Sequence, residues 1–160
     1  MERLLVFAMV VALSLVASGL LLAQSNPQIG TWKLNVAKSK YVTAPAPKSE
    51  TRTVEAQGNG AQYSYEGVAG DGSRIAYSYT TNYDGKDSPI SGMGQPNGGD
   101  TIALKRINTN TTESILKKAG KVVLTVRSVV SKDGKVMTNT GTETNASGQP
   151  TKSVIVWDKQ

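Results

Sequence analysis

The residues of this chain best placed to hold another molecule are four tyrosines and one arginine. Tyr63, Tyr65, Tyr77 and Tyr79 fall at i, i+2 spacing in two neighbouring stretches, Ala61–Gly67 and Ser73–Tyr83. In extended chain a period of two puts each pair on one face. Their rings supply apolar walls and their hydroxyls hydrogen-bond donors, so the set can line a pocket for a small apolar or amphipathic ligand. The same pattern suits a cross-strand aromatic cluster that only stabilises a sheet, which is the commoner use. Arg106 shares a strand face with Ile102 and Leu104. That makes it the candidate inward cation and the candidate contact for a ligand anion, with a strand-end position reaching water as the competing placement. Arg127 falls opposite the apolar face of Val122, Leu124, Val126 and Val130, and is expected outside.

What is missing narrows the chemistry. The chain has no His and no Cys. A Ser-His-Asp triad, a cysteine nucleophile, and imidazole or thiolate metal sites are therefore excluded. The glycine-rich stretch Gly92–Gly99 lacks the Lys-Ser/Thr of a phosphate-binding loop. No catalytic residue, metal ligand or cofactor is assigned. Asp71, Asp84 and Asp133 each precede or neighbour a glycine and read as turn residues. Glu66 and Glu143 have no such explanation. An enzyme using that carboxylate pair needs the two acids within about 5–10 Å in one cleft, and nothing in the sequence supports it.

The elements that must position these side chains are strands. Turn signals recur as Gly58-Asn59-Gly60, Asp71-Gly72, Asp84-Gly85, Asn97-Gly98-Gly99, Ala119-Gly120, Asp133-Gly134 and Ser147-Gly148. Such regular punctuation marks consecutive antiparallel hairpins. Strands are expected over Ile29–Asn35, Glu50–Gln57, Ala61–Gly67, Ser73–Tyr83, Thr101–Ile107, Thr112–Lys117, Lys121–Ser131, Lys135–Thr142 and Lys152–Trp157. A further short strand near Ser88–Gly92 is weakened by Pro89. The result is an all-β, up-and-down meander of eight to ten strands, whose edges are hidden most directly by closure into a barrel. Two stretches break the pattern. Ala37–Lys48, with Pro45 and Pro47, and Gly92–Gly99 either cover a barrel mouth or move freely, the second being the commoner behaviour of such loops.

Residues 1–25 read as an export signal: Arg3 precedes an apolar run from Leu4 to Ala23, and Ala23-Gln24-Ser25 offers small residues for cleavage before Asn26. A run of that length can also span a bilayer, so an uncleaved anchor is the alternative. Residues 26–160 then form one domain, periplasmic or extracellular, and monomeric. Loss of Glu2 and Arg3 leaves the net charge at +6. The cations are scattered, so a solvated basic surface is expected and no nucleic-acid partner. The strands lack the outward apolar band of an outer-membrane barrel, so no membrane association is expected after cleavage.

The opening Gly30-Thr31-Trp32-Lys33-Leu34 resembles the Gly-x-Trp start of the calycins, the lipocalins and intracellular fatty-acid-binding proteins. That resemblance implies that Trp32 packs across the closed end of a calycin-like barrel. The hairpin run and the ending Val156-Trp157-Asp158-Lys159 look more like the fatty-acid-binding branch. That branch carries an Arg two residues before a terminal Tyr and two helices after the first strand. Here those places hold Ile155, Trp157 and the proline-containing connection. The opening is also similar to a set of secreted bacterial proteins starting Gly-Thr-Trp-Lys-Leu-Asn, which implies export and no particular activity. The resulting expectation is a ligand-binding barrel lined by Tyr63, Tyr65, Tyr77, Tyr79 and Arg106. The alternative is a filled β-domain that acts through its surface as a cell-envelope or interaction module, with Lys117, Lys118 and Lys121 as its basic patch.

Overall fold

The computed structural model describes residues 26–160 apart from Ala146; residues 1–25, expected from sequence to be an export signal, lie outside the described residues. Among the described residues eleven antiparallel strands form one sheet. They are β1 (Gly30–Leu34), β2 (Ser49–Gln57), β3 (Gly60–Val68), β4 (Arg74–Thr81), β5 (Asp84–Pro89), β6 (Ser91–Met93), β7 (Thr101–Arg106), β8 (Thr111–Lys118), β9 (Lys121–Val130), β10 (Val136–Thr144) and β11 (Pro150–Lys159). Their order is β5-β7-β8-β9-β10-β11-β1-β2-β3-β4-β6. It is an up-and-down meander in which the last strand returns to the first, Leu34 opposite Trp157. The stretch around Pro89 divides into β5 and β6. These are the two edges of the sheet, and both are short and largely exposed, which limits pairing with other chains. Lys117 Nζ reaches the Asp87 carboxylate at 2.8 Å and ties the β5 edge to β8.

Alternation fixes which side chains fill the barrel. Trp32 and Leu34 of β1, Val54 of β2, Tyr63 and Tyr65 of β3, and Ile75, Tyr77 and Tyr79 of β4 are buried in one core with Ile102, Leu104, Leu116, Val130, Met137 and Trp157. On β9 the inward face runs through Leu124, Val126, Ser128 and Val130. Val122, at the strand's end, is exposed, and so is Arg127 on the opposite face. Asp71 and Asp133 do turn work as expected. Asp71 Oδ1 accepts from Ser73 N at 2.8 Å, and Asp133 Oδ1 accepts from Lys135 N at 3.1 Å. The Ser73 bonds to Asp71, and for Asp133 the Ser131 hydroxyl first and then Lys135 N, hold both carboxyls below their ordinary range.

One end of the barrel is sealed by a polar plug under an indole. Trp32 is fully buried and its Nε1 donates to the Gln28 carbonyl at 2.9 Å. Lys159 Nζ lies 5.1 Å from the centre of the Trp32 ring. Gly30 makes this crossing possible. Its φ is +126°, a left-handed backbone that favours glycine, and a Cβ there would stand 2.9 Å from the flexible Lys159 Cε.

Candidate functional site: the barrel interior

Above the plug the barrel holds a cavity of about 310 Å³. The tyrosines build one wall of it. Register sets Tyr63 opposite Tyr79 and Tyr65 opposite Tyr77. The rings stack accordingly, with centroids 4.9 Å and 4.4 Å apart. Tyr65 also meets Trp157 edge-on at 6.3 Å. Tyr65, Tyr77 and Tyr79 line the cavity together with Trp157. Tyr63 lies deeper, outside the lining, in the plug. Burial raises the hydroxyl pKa of Tyr63, Tyr77 and Tyr79 well above the ordinary phenol value, so all three remain neutral donors.

Arg106 does not join them. It sits at the end of β7 with its guanidinium 4.4 Å from the Tyr83 ring centre and is absent from the cavity lining. This contact continues the β5–β7 ladder, in which Asp84 stands opposite Lys105, by one residue on each strand. Tyr83 holds the left-handed backbone there, φ +59°, and its hydroxyl is bound by Asn26 Nδ2 at 2.6 Å and Tyr63 OH at 2.7 Å.

The inward cation is Arg52 instead. It is 3 % exposed. Nη2 donates to Gln28 Oε1 at 2.9 Å and Nη1 to Met137 Sδ at 3.0 Å. The guanidinium carbon stands 4.9 Å from the Tyr63 ring centre and 5.8 Å from that of Tyr65. Burial acts to lower its pKa, but the surrounding tyrosines, Tyr65 first, outweigh that and leave it raised and the group charged. Gln28 is the hub of this plug: its Oε1 also accepts from Tyr63 OH at 3.0 Å, and its Nε2 donates to Thr112 Oγ1 at 2.7 Å across the barrel floor.

Two residues before Arg52 on the same strand, Glu50 lines the cavity. Desolvation is the main cause that pushes its carboxyl up from 4.5 to about 7, with Arg52 opposing. Sequence reading missed both residues. No local signal marked them, because the alternation Glu50, Arg52, Val54 on one face of β2 has only one apolar member.

Both irregular connections fold over the mouth. Lys40 exchanges backbone hydrogen bonds with Val154, 2.6 Å and 2.9 Å, which pins the strap that carries Tyr41, Thr43, Pro45 and Pro47 to the cavity. Gly94, Pro96 and Asn97 line it from the other connection. Glu143 of β10 joins the two: its carboxylate accepts from Thr43 Oγ1 and, at 2.6 Å, from Asn97 Nδ2. Glu66 points out of the barrel and is exposed, so it and Glu143 do not form a carboxylate pair in the cavity. Two buried polar atoms of the lining residues lack partners among the described residues, Trp157 Nε1 and Asn139 Oδ1. Outside the mouth, a larger depression of about 610 Å³ over Val42, Val122 and Glu143 lies open to solvent. Among the described residues no group of His, Asp or Glu is arranged to hold a metal.

Among solved structures, the chain is similar to the crystal structure of zebrafish ileal bile acid-binding protein complexed with cholic acid. The TM-score is 0.51 at 10 % identity, over 84 % of this chain and 99 % of that one. The fold is that of a calycin-like barrel. No family model matches the sequence, and no curated protein does. The calycin-like barrel thus agrees with the Gly-x-Trp opening, with Trp32 at the closed end as that opening implies.

Proposed function

We propose that this protein is an exported carrier, secreted or periplasmic, that holds a small hydrophobic or amphipathic molecule inside the barrel and catalyses no reaction. The observation that carries this reading is the cavity with its aromatic and aliphatic wall, a lining typical of ligand sites. The unpartnered Trp157 Nε1 supports it, because a buried donor left without a partner is costly. The similar solved structure is a bile acid-binding protein holding cholic acid, which fits the same reading. A cavity of this kind also counts against a filled domain that acts only through its surface. Tyr65, Tyr77, Tyr79 and Trp157 are the wall residues.

The test is titration of the protein spanning residues 26–160 with Nile red, a neutral solvatochromic dye. Blue-shifted, saturable emission at one dye per chain is expected, weakened by Tyr77→Ala. No saturable shift at micromolar protein overturns the reading. Native mass spectrometry of protein recovered from its own periplasm, followed by denaturation and extraction, would then show whether a small molecule is carried.

A further inference from the structure

The polarity of the cavity is opposite to that of the chain. The protein carries a net charge of +6, yet among the described residues no Lys or Arg lines the cavity. Its two charged lining residues are both acids, Glu50 and Glu143. Glu143 is occupied at the mouth by Thr43 and Asn97. Glu50 forms no ion pair among the described residues. Arg52, the nearest cation, is shut in the plug by Gln28, Met137 and the tyrosine faces. Around Glu50 stand aromatic rings: Tyr41 of the strap and Tyr77 of β4 are close enough to feel its charge, and Tyr65, Tyr79 and Trp157 line the same space. A carboxylate among aromatic faces is the arrangement that recognises an organic cation, since the ring faces and the acid attract the same sign of charge.

We infer that the barrel takes a cationic amphiphile, an amine or quaternary ammonium head on an apolar body, whose head is met by the Glu50 carboxylate within the cage of Tyr41, Tyr65, Tyr77, Tyr79 and Trp157. This rests on the binding reading above and names the class of its ligand. An anionic head is disfavoured at the same place, because it would face Glu50 with no cation in the lining to receive it. The titratable groups that face Glu50 are Arg52 on its own strand, Tyr41 on the strap and Tyr77 on β4, with Glu143 across the mouth. Burial raises the Glu50 carboxyl to about 7, so head recognition should strengthen as it ionises between about pH 5.5 and about pH 8.5.

The experiment compares three probes of one chain length below their micelle concentrations: dodecyltrimethylammonium, dodecanol and laurate, by isothermal titration calorimetry at about pH 8.5 and about pH 5.5. The quaternary ammonium is cationic at both values, so any pH effect on it belongs to the protein. At the higher pH it should bind at least about tenfold more tightly than laurate. At the lower pH its affinity should fall about tenfold while that of dodecanol stays level. Glu50→Gln should abolish the fall and keep dodecanol binding; if that variant does not fold, the pH arm on the unaltered protein decides. Dodecanol binding with laurate equal to or tighter than the ammonium, or with no pH step for the ammonium, overturns this inference and leaves the binding reading standing. No binding of any of the three overturns both.

Discussion

Arg52 and Gln28 meet at 2.9 Å in the floor of the barrel, a buried guanidinium held by a neutral amide and no carboxylate. Gln28 is itself 1 % exposed and serves three partners at once, Arg52, Tyr63 and Thr112. Removing it strands a buried charge, whereas replacing the charge by an apolar chain of like volume leaves little unpaired. Gln28→Ala is therefore expected to cost about 3 kcal/mol in urea unfolding, and Arg52→Met clearly less. Equal costs would show that the cation, not the amide, anchors the plug.

Gly30 tests the crossing above that floor. With φ at +126° and Lys159 Cε 2.9 Å from any added Cβ, Gly30→Ala should lose about 1–3 kcal/mol. Lys159 is a flexible side chain that can move aside, so most of the loss is backbone strain. Gly30→Ala combined with Lys159→Ala should recover only a small part of it, measured as a double-mutant cycle.

The contrast between the tyrosines and Arg52 shows what the sequence made legible. Tyr63, Tyr65, Tyr77 and Tyr79 alternate with small polar residues, so period two assigned their shared face, and the hairpin through Asp71-Gly72 set them opposite one another. Trp32 was readable from its glycine-led motif. On β2 the inward face is Glu50, Arg52, Val54, which by polarity looks like the solvent side. Its facing is decided by Trp32 opposite Arg52, a long-range pairing that no local pattern carries. Arg106 shows the converse. Its neighbours Ile102 and Leu104 do point inward, but the strand ends at Arg106, and the side chain turns to Tyr83 at the end of the β5–β7 ladder.

Glu50 gives the fold a pH dependence with an unusual sign for a carboxyl. Its pKa rises from 4.5 to about 7 on folding, so the folded state holds the proton more tightly than the unfolded chain. The contribution is fully present below about pH 4.5 and is lost as pH rises through 7. Stability of the ligand-free protein should therefore decline between those values and level off above them. Glu50→Gln should flatten that decline and exceed the unaltered protein in stability at about pH 8. Asp71 and Asp133, whose values are lowered, act in the opposite direction and only under more acidic conditions. A decline that persists in Glu50→Gln would assign it to another group.

Glu143 governs the mouth more than the stability. Its carboxylate is the common acceptor for Thr43 on the strap and Asn97 on the second connection, so one side chain holds both against β10. The bonds lie at the surface, where water replaces them readily, and Glu143→Ala should cost only about 0.5–1 kcal/mol of global stability. Its local effect should be larger. Amide hydrogen exchange over residues 41–45 and 95–98 is expected to quicken, while the amides of β3 and β4 keep their protection. Nile red, if carried as proposed, should then leave faster with less change in how much is bound. Unchanged exchange in both connections would show that Lys40 and its backbone bonds to Val154 hold the strap closed without the carboxylate.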